Sequence, residues 1–128
     1  MNDLDCIFCN YIKDKKYLIE NEMAVAFYDN FPVNKGHLLI IPKRHFSSYF
    51  DATAEELVAL NSLIRLAKDY LDKEHKPDAY NLGINIGEAA GQTIFHLHIH
   101  LIPRYKGDVE NPRGGIRKFK VPLVEYDG

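Results

Sequence analysis

Three histidines, His96, His98 and His100, alternate with aliphatic residues in the second half of the chain. Successive side chains of a β-strand point to opposite faces of a sheet, so a strand here would put all three histidines on one face. A helix would spread them over about 400° of arc, at about 100° per residue. A strand is therefore predicted. The aliphatic residues that would then face the core are Leu97, Ile99 and Leu101.

The concentration of histidine in this segment favours a chemical role over a plain half-buried strand. Half of the six histidines of the chain lie within these five residues. Imidazole can bind a metal, act as a base or nucleophile, or bind phosphate. Binding of a single metal by all three is disfavoured, since other candidate ligands lie upstream.

Length and charge restrict the classes of protein that the chain can belong to. A chain of 128 residues is expected to form one domain, spanning residues 1–128, in which we treat residues 106–128 as a C-terminal arm. The net charge of −2 gives no basis for a broad electrostatic contact with nucleic acid or an anionic membrane. An anionic ligand would have to be held locally, in a pocket.

The amino end carries acidic residues and no apolar core of a signal peptide, and no aliphatic run approaches a membrane span. Two cysteines in a chain that is not exported favour a reducing compartment. We therefore expect a cytoplasmic protein.

The pattern along the chain predicts five strands, a short helix and a long helix. The strands are expected at residues 16–20, 23–28, 36–41 and 80–86 and in the histidine segment, and the short helix at 10–15. The long helix is expected to begin after Thr53, which has the spacing of a capping box with Glu56, and to end near Glu74 or His75. The arm is basic around Arg113 and Arg117. It is predicted either to be solvated or to pack residues 121–124 at a sheet edge or against a partner subunit.

Cys6 and Cys9 form a C-x-x-C pair at the amino end. Such a pair can be a redox site, half of a zinc site, or a chance spacing. A redox pair would be expected just after a strand, and no strand precedes it here. His45 follows the strand that stops at Pro42, and with His96 it would complete a Cys₂His₂ set, the usual closed structural zinc site.

The histidine segment, residues 96–102, resembles the signature of the histidine triad (HIT) family of nucleotide hydrolases and transferases. The preceding Gly91, Gln92 and Thr93 also match, and the resemblance extends from Cys6 to Arg117. It implies an α+β fold, with a five-stranded antiparallel sheet, and a homodimer whose subunits join their sheets. In zinc-bearing members, the positions that match the two cysteines, His45 and the first triad histidine coordinate the metal, which implies a structural zinc ion.

The resemblance also implies roles in catalysis and binding. His98 matches the nucleophile that becomes nucleotidylated at the α-phosphate, and His100 matches the residue that contacts the phosphate and assists the leaving group. Asp29 matches the acidic residue that binds the ribose hydroxyls. The positions that match phosphate contacts are Asn85, Gln92 and Thr93.

Two branches of the family differ in substrate: one cleaves nucleoside phosphoramidates and the other hydrolyses dinucleoside polyphosphates. Residues 103–108 resemble the Pro-Arg-x-x-Gly-Asp segment of the polyphosphate branch. A hydrolase of dinucleoside polyphosphates is therefore expected, with a purine nucleoside phosphoramidase as the alternative. A non-catalytic nucleotide-binding adaptor and redox use of the cysteines are the hypotheses from other classes.

Overall fold

A five-stranded antiparallel sheet with two α-helices makes up the fold, and this confirms the α+β prediction. The computed structural model describes residues 5–120 and 124–127. The strands are β1 (Ile19–Glu20), β2 (Ala24–Tyr28), β3 (Leu38–Pro42), β4 (Ala79–Gly83) and β5 (Ile99–Arg104), in the sheet order β1-β2-β3-β5-β4. The helices are α1 (Ile7–Lys13) and α2 (Ala54–Glu74).

Helix α2 covers one face of the sheet. The predicted capping box is present: Thr53 Oγ1 accepts from Glu56 N, and Glu56 Oε1 accepts from Thr53 N. The helix buries an apolar stripe of Leu60, Leu63, Ala67 and Leu71. No helix in the described part of the chain is long and apolar enough to cross a membrane.

The opposite face of the sheet carries a second apolar cluster beneath α1. Phe8 of α1 packs there with Val25, Phe27, Leu39 and Ile41 from β2 and β3. Helix α1 begins at Ile7, earlier than the predicted residue 10, because Cys6 Sγ accepts from Cys9 N and caps the helix. One end of this face is thus covered by α1.

The histidine strand is shorter than predicted. β5 begins at Ile99, so His96 and His98 precede it. Leu97 N donates to Phe46 O at 2.6 Å instead of continuing the ladder with β3. The predicted alternation nevertheless holds, because Leu97, Ile99 and Leu101 are all buried in the core. The Phe8 ring contacts both His96 and His98, and the His98 ring contacts His100, so the three histidines share a side.

The second half of the chain differs from the prediction in two further places. β4 stops at Gly83, three residues earlier than predicted, and a short 3₁₀ helix at Glu88–Ala90 occupies the loop before the histidine segment. In the arm, a 3₁₀ helix at Gly115–Phe119 lies against β4. Residues 121–123 lie outside the described residues, and with them most of the segment predicted to pack at an edge.

Candidate active site and metal centre

Four ligand atoms converge where the amino end meets the sheet. Cys6 and Cys9 come from the start of α1, His45 from the loop after β3, and His96 from the segment before β5. One ligand atom from each residue lies within 4.8 Å of the other three. The structure thus brings together the four residues that the sequence predicted as a set, from positions up to 90 residues apart.

The geometry of this cluster fits a tetrahedral metal ion. His96 Nε2 lies 2.8 Å from Pro42 O; a carbonyl only accepts, so Nε2 carries the hydrogen and Nδ1 keeps its lone pair. That Nδ1 lies 3.5 Å from each cysteine Sγ and 3.2 Å from His45 Nδ1. Tetrahedral zinc, with Zn–N about 2.0–2.1 Å and Zn–S about 2.3 Å, separates its ligand atoms by roughly 3.3–3.8 Å. The cluster can therefore hold a metal ion.

His98 presents a lone pair to a cavity. Its Nδ1 lies 2.9 Å from the backbone oxygen of His96, so Nδ1 donates its hydrogen and Nε2 is left unprotonated in the neutral ring. The residue is 8% exposed and lines the cavity. The edge-on Phe8 ring, 5.2 Å away between centroids, helps to fix the orientation of the imidazole.

His100 presents an N–H to the same cavity, because of a residue that the sequence prediction missed. Val33 N donates to His37 Nδ1 at 3.0 Å, so the neutral His37 carries its hydrogen on Nε2. His37 Nε2 lies 2.9 Å from His100 Nδ1 and donates to it, which leaves the hydrogen of neutral His100 on Nε2. His98 and His100 thus offer one acceptor and one donor side by side, with ring centroids 5.2 Å apart.

Both members of the His37–His100 pair are held neutral. Burial lowers the pKa of His37, and the nearby Asp29 carboxylate only partly opposes this effect. Burial, followed by the neighbouring His98 and His37, lowers the pKa of His100 to about 4. In the sequence, His37 is distinguished only as a polar residue that directly precedes the buried residues of β3.

The cavity has a volume of about 290 Å³. Asp29, Asn85 and Thr93, three of the predicted substrate-binding residues, line it together with His98 and His100. One Asp29 oxygen accepts from Phe31 N at 2.8 Å, and the other lies 3.5 Å from His37 Nε2. The apolar and aromatic part of the lining comes mainly from α1, β2 and the residues after it: Ile7, Phe8, Tyr11, Phe27 and Phe31.

Gln92 does not line this cavity, whereas the resemblance implies that it contacts phosphate. Its side chain is buried; Oε1 accepts from Gly87 N at 2.8 Å, and Nε2 donates to the carbonyls of Ser47 and Ile94. Because both amide hydrogens are already used, the side chain has no donor left for a ligand. Gln92 instead fixes the loop that carries Thr93.

Residues 103–108, the segment that resembles the polyphosphate branch, form hydrogen bonds among themselves. Arg104 Nε and Nη2 donate to the two Asp108 oxygens, and Arg104 Nη1 donates to Asn81 Oδ1. Asn34 Nδ2 and Tyr105 N donate to the same carboxylate. This network joins the end of β5 to β4 and to the turn before β3.

The chain belongs to the HIT domain family, whose model matches residues 11–107. It is 38% identical over 122 residues to the adenylylsulfatase HINT3 of Arabidopsis thaliana, covering 93% of this chain and 62% of the relative. It is 34% identical over 101 residues to the asymmetrical bis(5′-nucleosyl)-tetraphosphatase of Schizosaccharomyces pombe, covering 79% of this chain and 56% of the relative. The chain thus spans less than two thirds of the length of these two enzymes.

Among solved structures, the chain is similar to a zinc-bound histidine triad protein from Mycobacterium smegmatis. The TM-score is 0.76 and the identity 30%, and the match covers 84% of this chain and 80% of the other. The family therefore includes hydrolases and at least one metal-bound member whose fold this chain shares.

Proposed function

We propose that this protein hydrolyses dinucleoside polyphosphates at the α-phosphate, through a nucleotidyl-His98 intermediate. The observation that supports this proposal is the complementary state of two rings in one cavity. His98 offers an unprotonated Nε2, and His100 offers an Nε2–H beside it. A nucleophile next to a hydrogen-bond donor is the arrangement that displacement at phosphorus requires.

The proposed reaction has two steps. In the first, His98 Nε2 forms a bond to the α-phosphorus while the bond from that phosphorus to the bridging oxygen of the leaving group breaks. The leaving phosphate departs with the electron pair, and His100 Nε2–H donates a hydrogen bond to the oxygen where charge develops. In the second, water attacks phosphorus, the N–P bond breaks with its electron pair returning to His98 Nε2, and the nucleoside monophosphate leaves while the proton displaced from the water passes to solvent.

The remaining residues of the cavity would bind the nucleotide. Thr93 and Asn85 carry donors for the non-bridging oxygens, and the Asp29 carboxylate can accept from the ribose hydroxyls. The apolar rings of Phe8 and Phe27 offer a surface for the base. We assign Gln92 to positioning of the Thr93 loop.

We also propose that Cys6, Cys9, His45 and His96 hold a structural zinc ion. The spacing of their ligand atoms and the hydrogen bond from His96 Nε2 to Pro42 O support this assignment. The ion would tie α1 to the sheet and fix the backbone oxygen of His96, which orients His98. His96 would then be unavailable as a nucleophile.

A nucleoside phosphoramidase is the alternative for the same cavity, because attack by His98 on phosphorus is common to both reactions and only the leaving group differs. The tetraphosphatase relative favours the polyphosphate, although it matches over only part of its length. A substrate panel distinguishes the reactions: diadenosine tri- and tetraphosphate, adenosine 5′-phosphoramidate and adenylyl sulfate, with the products identified by chromatography.

The decisive variant is His98→Ala. It should abolish turnover, while the zinc content and the affinity for a nucleoside monophosphate remain close to those of the wild type. His100→Gln keeps an amide N–H and should retain part of the activity, so it serves as the matched comparison. Near-normal turnover by His98→Ala would exclude the mechanism, and wild-type binding of nucleotide without turnover of any substrate would favour an adaptor.

Three further proposals concern the whole chain: that residues 1–128 form a single domain with its arm at 106–128, that the protein is cytoplasmic, and that it forms a homodimer. β4 is an edge strand of the sheet, with Leu82 exposed, so a second copy could pair there. Light scattering on the purified protein would test the dimer.

A further inference from the structure

The C-terminal arm lies on the same face of the sheet as the active-site histidines. Gly83 of β4 pairs directly with His100 of β5, and directly opposed residues point their side chains to the same face. A Cβ built on Gly83 would lie 3.6 Å from Ile116 Cδ1, so Ile116 covers Gly83 on that face. A Cβ built on Gly115 would lie equally close to Asn81 Nδ2, two residues earlier in β4.

The arm carries two arginines on one aromatic ring. The guanidinium carbons of Arg113 and Arg117 lie 4.9 Å and 4.0 Å from the centroid of the Tyr126 ring, and Arg113 Nη2 donates to Tyr126 O at 3.2 Å. Within residues 5–120 and 124–127, neither guanidinium forms an ion pair with a carboxylate. Two neighbouring cations that form no ion pair within the described part of the chain favour the binding of an anion, and the planar guanidinium suits phosphate.

The cavity itself lacks a cation for a chain of phosphates. No lysine or arginine of the described residues lines it. The one side chain in its lining that carries a carboxylate is Asp29. The aromatic lining and Asp29 lie on the α1 side, over β2 and β3. If the nucleoside occupies that side and the α-phosphate lies at His98, the leaving group points across β5 towards β4, where the arm lies.

We propose that Arg113 and Arg117, held side by side on Tyr126, bind the phosphate chain of the leaving group. This inference rests on the proposed function. It adds a preference for polyphosphate substrates over phosphoramidates. The arginines contact the part of the substrate that a polyphosphate has and a phosphoramidate lacks. Tyr126 is the positioning residue of the pair.

The test compares two substrates that share the nucleoside and α-phosphate but differ in the leaving group. For the Arg113→Gln/Arg117→Gln variant, kcat/KM on diadenosine tetraphosphate should fall roughly tenfold or more, mainly through KM, as expected for the loss of charged hydrogen bonds. On adenosine 5′-phosphoramidate it should be unchanged. Arg65→Gln, which removes an exposed charge from α2 on the other face of the sheet, should leave both values at the wild-type level.

An equal loss on both substrates, or no loss on the tetraphosphate, would overturn the inference while the proposed function stands. A wild-type protein that cleaves neither substrate would instead refute the proposed function. The arm is then tested without catalysis, by calorimetry with inorganic tripolyphosphate. The wild type and Arg65→Gln should bind it alike and the double variant more weakly; equal binding by all three would refute the arginine site.

Discussion

His37 Nε2 lies 2.9 Å from Nδ1 of His100, and this hydrogen bond decides which nitrogen of His100 carries the hydrogen that faces the cavity. The backbone N–H of Val33 fixes the tautomer of His37, and His37 in turn fixes that of His100. If this bond were lost, Nδ1 of His100 could carry the hydrogen instead, and Nε2 would no longer be a donor.

We predict that His37→Phe lowers kcat roughly 10- to 100-fold with little change in KM, as expected when the partner that orients a functional histidine is removed. The aromatic ring preserves most of the buried volume but makes neither hydrogen bond. His75→Gln, which changes a histidine at the end of α2, is the control and should retain wild-type kcat. A rise in KM alone would show that His37 affects binding and not the state of His100.

Asp29 is the residue through which the site would distinguish ribose from deoxyribose. Its carboxylate lines the cavity, and one oxygen is held by Phe31 N. We predict that Asp29→Asn raises KM for a ribonucleotide substrate about tenfold, because a charged acceptor is lost. The 2′-deoxy analogue should bind the wild type more weakly and be less affected by the substitution. An equal loss for the two sugars would contradict ribose recognition by Asp29.

The parts of this fold that depend on local periodicity could be predicted from the sequence. The alternation around His98 and the capping box at Thr53 each depend on residues that lie within a few positions of one another. The convergence of Cys6, Cys9, His45 and His96 could be predicted because thiols and imidazoles are rare and chemically distinctive. The resemblance to the family added the sheet pairing and the candidate roles.

What could not be predicted depends on contacts between distant residues. His37 gives no periodic signal, and its role follows from pairing with a residue 63 positions away. Gln92 was expected to contact phosphate, but its amide donates to Ser47 O, 45 positions earlier. The histidine strand starts late because Leu97 bonds to Phe46, a partner that lies outside any strand. The arm lies beside His100 through Ile116, and nothing in its sequence indicates this.

If the Cys₂His₂ cluster holds zinc, the ion should contribute to the thermal stability of the protein. His45→Ala should abolish stoichiometric zinc binding and lower Tm by about 10 °C or more, since binding energy at a structural zinc site is also folding energy. Chelation of the wild type should produce a similar loss, and chelation of the variant no further loss. Metal analysis that finds no stoichiometric zinc in the wild type would remove the metal proposal and leave the role of His98 to its own test.

Asp108 should stabilise the protein in a pH-dependent way. Arg104, followed by the backbone N–H of Tyr105 and by Asn34, holds the pKa of this carboxyl well below its usual range. Because the pKa is lower in the folded state, the stabilisation is complete above the unfolded value of about 3.9 and is lost as the pH falls towards the folded pKa. We predict that Asp108→Asn lowers Tm by a constant amount between pH 5 and pH 8, and that the difference from the wild type shrinks below about pH 4. Asp69→Asn, at an exposed position of α2, is the control and should change Tm little throughout. If the difference in Tm between Asp108→Asn and the wild type did not shrink in strong acid, the charge of the Asp108 carboxylate would not be the source of the stabilisation.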